Sequence, residues 1–108
     1  MTDRELIELA AKAAGIKEKW QKDNIYIREQ FCEVPWNPLN DDVDAFLLMI
    51  QLHICVEFGY CSDDAPIVLT GLLEDRDTWI QTANFPDTRK QTRLSIVRAA
   101  AEIGKQMP

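Results

Sequence analysis

Residues 36–53 read WNPLNDDVDAFLLMIQLH. Asn40, Asp41 and Asp42 are all residues that cap a helix, because their side-chain oxygens accept from free backbone N–H groups at its first turn. Carboxylates there, Asp44 included, also suit the positive end of the helix dipole. Pro38 stiffens the approach, and Trp36 or Leu39 can staple onto Phe46 from outside. A helix is therefore predicted from Asn40 or Asp41 to about His53. Only Asp44 and Gln51 interrupt its apolar character, and such a helix is buried on more than one side or covered by a partner. Val43, Leu47 and Ile50 lie at spacings of four and three and share one face. The other face, through Phe46, Met49 and His53, is predicted to lie on a sheet. One layer of sheet absorbs one face only, so a homodimer or a protein-partner contact is expected at Val43, Leu47 and Ile50. The competing arrangement lays the N-terminal helix or the 31–39 link across them.

The same aspartates could be read as a magnesium or calcium site. That ion needs more oxygen ligands, which Asp63, Asp64 or Glu74 would have to bring, and no spacing demands it. The glycine of a calcium-binding loop is missing. Capping accounts for every residue of the cluster, so no metal, no cofactor and no catalytic residue is predicted.

On the N-terminal side, DRELIELAAKAA (3–14) places Leu6, Ile7, Leu9, Ala10, Ala13 and Ala14 at helical spacing. Thr2 and Glu5 form a capping box, and Gly15 is a natural stop. NIYIR (24–28) alternates and predicts one short strand, and FCEVPWNPLN predicts an irregular link with two prolines. On the C-terminal side, ICVEFGY (54–60), PIVLTGLL (66–73) and DTWIQTA (77–83) predict three antiparallel strands separated by turn-like SDDA and EDR. A closing helix follows, with Pro86 in its first turn and Leu94, Val97, Ala101 and Ile103 or Gly104 facing inward. IVRAAA (96–101) offers a smooth face that can lie close on a sheet. The order α-β-α-β-β-β-α describes one α+β domain over residues 1–108, a small antiparallel sheet packed between helices.

The chain has 108 residues, 46% of them hydrophobic, which suits one self-sufficient core. It lacks an apolar run of membrane-spanning length, and MTDRELIELAAK lacks the pattern of a secretory signal, so a cytoplasmic protein is expected. Cys32, Cys55 and Cys61 are odd in number and without CxxC spacing, which predicts reduced, mostly buried thiols. His53, the sole histidine, sits in an apolar run, so cysteine–histidine catalysis is not expected. Trp20, Trp36, Trp79, Tyr26, Tyr60, Phe31, Phe46, Phe58 and Phe85 are assigned to the core.

The net charge of −6 is uneven: residues 34–85 carry a net −8 and residues 86–108 a net +3. An acidic middle repels duplex phosphates, which disfavours general nucleic-acid binding. It could instead imitate nucleic acid and block a basic site on another protein. TRKQTR (88–93) opens the last helix with basic residues against its dipole, so Arg89, Lys90 and Arg93 are candidates for an anion site, for example for a nucleotide signal. The plainer reading is a solvated charged face.

WNPLNDDVDAFLL, ELIELAAKAAGI and the closing TRLSIVRAAAEIGK together resemble the phage ABA sandwich domain family, small proteins of bacteriophages and prophages. The resemblance spans essentially the whole chain in three blocks. It implies a sheet held between helical layers and a phage accessory role, and it implies no reaction or catalytic residue. Members of that family usually have glycine at the position of Val43 and basic residues at those of Leu47 and Gln51. The apolar and neutral residues here depart from that pattern. The function expected is non-enzymatic binding of a protein partner, with capture of an anionic small ligand as the alternative.

Overall fold

The computed structural model describes residues 2–16, 18–21, 24–29, 32–84 and 86–108, with the strands between 18 and 34 given by their backbone pairing alone. Helix α1 (Asp3–Ala14) opens with Glu5 N–H donating to Thr2 Oγ1 at 3.2 Å and closes on Gly15 at φ 70°. That left-handed cap is why glycine stands there. Strands β1 (Glu18–Gln21), β2 (Asn24–Glu29) and β3 (Cys32–Pro35) follow as an antiparallel sheet in that order. This corrects two expectations: one strand becomes three, and the start of the supposed irregular link is a strand. Pro35 closes β3 opposite Tyr26, and a strand end tolerates a residue without an N–H.

Helix α2 spans Asp42–Leu52, and β4 (Ile54–Tyr60), β5 (Pro66–Leu72) and β6 (Ile80–Ala83) form a second antiparallel sheet in sequence order. Helix α3 (Thr88–Lys105) is the last of these elements. The fold is α+β with a small antiparallel sheet packed with helices, as the sequence predicts. Part of the strand expected at 77–83 is instead a 3-10 turn at Arg76–Thr78. It turns the Trp79 ring back over the sheet, where Nε1 donates to Leu72 O at 2.7 Å. A Cβ on Gly71 would come within 2.4 Å of that ring, so only glycine admits it. The Arg76 guanidinium stacks 4.2 Å above Trp79 and pairs with Glu57, closing part of the sheet's outer face.

The inner face carries Ile54, Val68, Thr70 and Thr82, all buried. Thr70 Oγ1 donates to Ser95 O at 3.0 Å and lies 2.7 Å from Ser95 Oγ, which ties the sheet to α3. One hydrophobic cluster joins α1, Trp36, Leu39, α2, Ile54 and α3. The small-residue face of α3 makes its most extensive contact with α1 and touches the sheet less. A Cβ on Gly104 would lie 2.0 Å from the Leu9 carbonyl oxygen, so the two helix backbones meet almost without side chains between them. Pro86 stands outside the helix, because Asp87 takes the cap by accepting from Lys90 N–H at 3.2 Å.

The aromatic assignments divide. Trp36 is buried and Trp79 half-buried, whereas Phe46, Phe58 and Tyr60 are exposed. Phe46 and His53 therefore do not seat α2 on the sheet. Its buried positions are Ala45 and Leu48, with Met49 and Leu52 half-buried. His53 follows the last helical turn as a left-handed cap, φ 56° and ψ 40°, which takes its side chain off the helix face. Cys55 and Cys61 are free and half-buried. The core roles expected of Phe31 and Phe85, and of the side chains of Trp20, Tyr26 and Cys32, lie outside the described residues.

Candidate functional site

The N-termini of α2 and α3 meet at the aspartate cluster, and each carboxylate there has a separate task. Asp41 is the N-cap and accepts from Asp44 N–H at 3.0 Å. Asn40 sits in the turn before it, its own N–H donating to Asn37 O at 3.1 Å, and does not cap. Asp42 is the first helical residue. It receives Arg93 Nη1 at 2.5 Å on one oxygen and Arg89 Nη2 at 2.9 Å on the other. The hydrogen bond from Arg93, reinforced by the charge of Arg89, holds Asp42 below the usual carboxylate range. Asp44 accepts from Asn37 N–H at 2.9 Å, and its partial burial pushes it above that range. Among the described residues no group of three His, Cys, Asp or Glu side chains is placed to hold a metal ion.

The basic residues divide in the same way. Arg89 and Arg93 lie one turn apart on α3 and converge on Asp42, whereas Lys90 points along another line of the helix and is exposed. Arg93 is committed to the fold. Its side chain is only 16% exposed, and Nε donates to Leu39 O at 2.9 Å while Nη1 holds Asp42. Arg89 is 80% exposed and keeps much of its fork free. The free N–H groups of this helix start already have Asp87 as a carboxylate.

Between these helix starts and β4 runs an apolar groove of about 450 Å³. Ala45, Phe46 and Met49 of α2, Val56 and Phe58 of β4, and Ile96 of α3 line it, and Asp42, Arg89 and Arg93 form its polar wall. Phe46 is 55% exposed and Phe58 62% exposed, so two aromatic rings border it from opposite elements. Its size and its apolar wall with a few fixed polar groups are those of a binding site.

Of the interface candidates, Val43, Leu47 and Ile50 are exposed together on the side of α2 turned away from Ala45 and Leu48. Sequence reading missed the groove because it assigned Phe46 and Phe58 to the core. One signal for it was present in the element lengths. An 11-residue helix spans about 16 Å and a seven-residue strand about 23 Å, so a strand running back along that helix outruns it. The end bearing Phe58 and Tyr60 is then left uncovered.

Comparison with protein-family models, with curated proteins and with solved structures finds no match to this chain.

Proposed function

We propose that this chain is a non-enzymatic accessory protein, phage-encoded and working in the host cytoplasm, that binds a protein partner through the groove between α2, α3 and β4. The observation that carries the reading is two exposed aromatic rings flanking one apolar groove. A partner segment with an aromatic or branched aliphatic anchor fits its lining, because burying such a side chain removes both its own surface and the groove's from water. An acidic residue beside that anchor would meet Arg89, whose fork is largely in solvent. The phage part of the proposal rests on the family resemblance, and the cytoplasmic part on the lack of an apolar run of membrane-spanning length in the sequence. They are compatible with a chain in which, among the described residues, no helix is long and apolar enough to cross a membrane. Capture of a free anion has less support, since Arg93 is bound to Asp42 and Leu39 and Asp87 occupies the helix start.

The test is selection from a random peptide display library with the purified chain as bait. A consensus with one apolar anchor, whose binding is lost on Phe58→Asp while the fold is kept, supports the proposal. No consensus, or a consensus indifferent to Phe58→Asp, overturns it.

A further inference from the structure

We infer that the outer face of α2 is the contact of a two-fold dimer of this chain, with the two α2 helices antiparallel and a groove left open on each side. Val43, Leu47 and Ile50, with Phe46 at the border of the groove, are 63%, 56%, 50% and 55% exposed. They form a stripe at spacings of three and four, the pattern by which helices pack on helices. Asp44 and Gln51 lie off this stripe and are engaged elsewhere, by Asn37 N–H and the Ala14 carbonyl.

The area suits a second copy as the occupant, and the charges set its orientation. The stripe leaves roughly 400 Å² of apolar surface in water, as large as the main patch of an ordinary monomer. Two such faces and their polar rim reach about 1,000 Å² in total, the lower bound for a specific interface. The chain carries −6, and Asp41 and Asp42 are exposed at one end of the stripe, Asp42 with its charge offset by Arg89 and Arg93. A parallel pair would bring those acids together. An antiparallel pair separates them by the helix length, about 16 Å, or roughly two Debye lengths in physiological salt. With the axis between Phe46 and Leu47, Val43 meets Ile50 of the second copy and Ile50 meets its Val43, the reciprocity a two-fold contact requires.

Each groove shares Phe46 with this contact and keeps the rest of its wall, Phe58 included, outside it, so a dimer displays two grooves and gains avidity for a partner with two anchors. The inference goes beyond the proposed function and does not depend on it.

Sedimentation equilibrium of the purified chain from about 1 µM to about 1 mM tests it. The expected dissociation constant is on the order of 10 µM for so small an interface. Leu47→Lys and Val43→Lys each place an unpaired charge at the contact, and each should weaken it at least about 100-fold. The far-ultraviolet spectrum and melting temperature of the monomer should stay unchanged. If Leu47→Lys fails to fold, Val43→Lys, at the more exposed position, decides. Phe58→Asp should leave dimerisation intact. A parent monomeric up to 1 mM overturns the inference, as does a dimer that folded lysine variants do not weaken. A monomer that still selects groove-binding peptides overturns the dimer alone, and a dimer that selects none overturns the groove reading alone.

Discussion

The α1–α3 contact and the outer face of α2 are both apolar, yet one brings two helix backbones together and the other lies in water. The first is made of Ala10, Ala11, Ala100, Ala101 and Gly104, each burying little surface but letting two backbones approach. The second is made of Val43, Phe46, Leu47 and Ile50, each with far more surface to bury. Hydrophobicity alone would reverse the two. Side-chain volume determines which helices can close on each other, and large side chains beyond that contact wait for a separate surface.

Within α2 the contrast narrows to neighbouring leucines. Leu48 is 2% exposed and Leu47 is 56% exposed. Leu48→Ala should lose about 2–4 kcal/mol of stability through lost transfer energy and the cavity left behind. Leu47→Ala should lose less than about 1 kcal/mol when both are unfolded in urea near 1 µM, below the expected dimer threshold. Equal losses would place the outer face in the core and remove the contrast.

Gly104→Ala tests the other side. The added Cβ meets the Leu9 carbonyl, a backbone atom that yields only if the helices part. The expected loss is about 1–3 kcal/mol, despite the better helix propensity of alanine. A variant as stable as the parent would show that the α1–α3 approach has slack.

How much of this was legible in the sequence follows from how local each signal is. The Thr2 cap and Gly15 stop of α1, the acid-capped start of α2 and the strands at 54–60 and 66–72 rest on neighbours within four residues, and they read correctly. Strands β1 and β3 did not, because EKWQ is largely polar and CEVP ends on proline, so their partners and not their composition make them strands. The task of each aspartate was equally hidden. Asp42 is a plausible cap until Arg89 and Arg93, some 50 positions away in the chain, are brought beside it. The groove needed both the α2–α3 pairing and the overrun of β4, neither of which is a local property.

At the junction of α2 and β4, His53 holds a left-handed conformation that β-carbon crowding disfavours. Its side chain is exposed. His53→Gly should raise stability by about 0.5–1 kcal/mol, the relief of strain exceeding the entropy that glycine adds to the unfolded chain. A loss measured by the same urea titration would mean that the imidazole makes a contact worth more than the strain.

The smallest effect expected is a matter of sign with pH. Asp42 and Asp44 sit two residues apart and titrate in opposite senses. The hydrogen bond from Arg93 holds Asp42 low, so its contribution is present above the unfolded carboxylate value near 4 and is lost as pH falls through its lower folded value. Burial holds Asp44 high, with repulsion from Asp41 adding to it, so the folded chain binds that proton more tightly than the unfolded chain. Its contribution is therefore largest in acid and is lost as pH rises through the folded value. Asp44→Asn keeps an oxygen for Asn37 N–H and removes the charge. Relative to the parent, the variant should gain stability as pH rises from the unfolded carboxylate value near 4 through the higher folded value of Asp44, and change no further above that. Asp42→Asn should do the reverse, losing ground to the parent as pH rises from the lower folded value of Asp42 to the unfolded carboxylate value near 4. Urea midpoints of the three proteins across both intervals read the slopes directly, and parallel curves for Asp44→Asn and the parent would show that burial does not perturb Asp44.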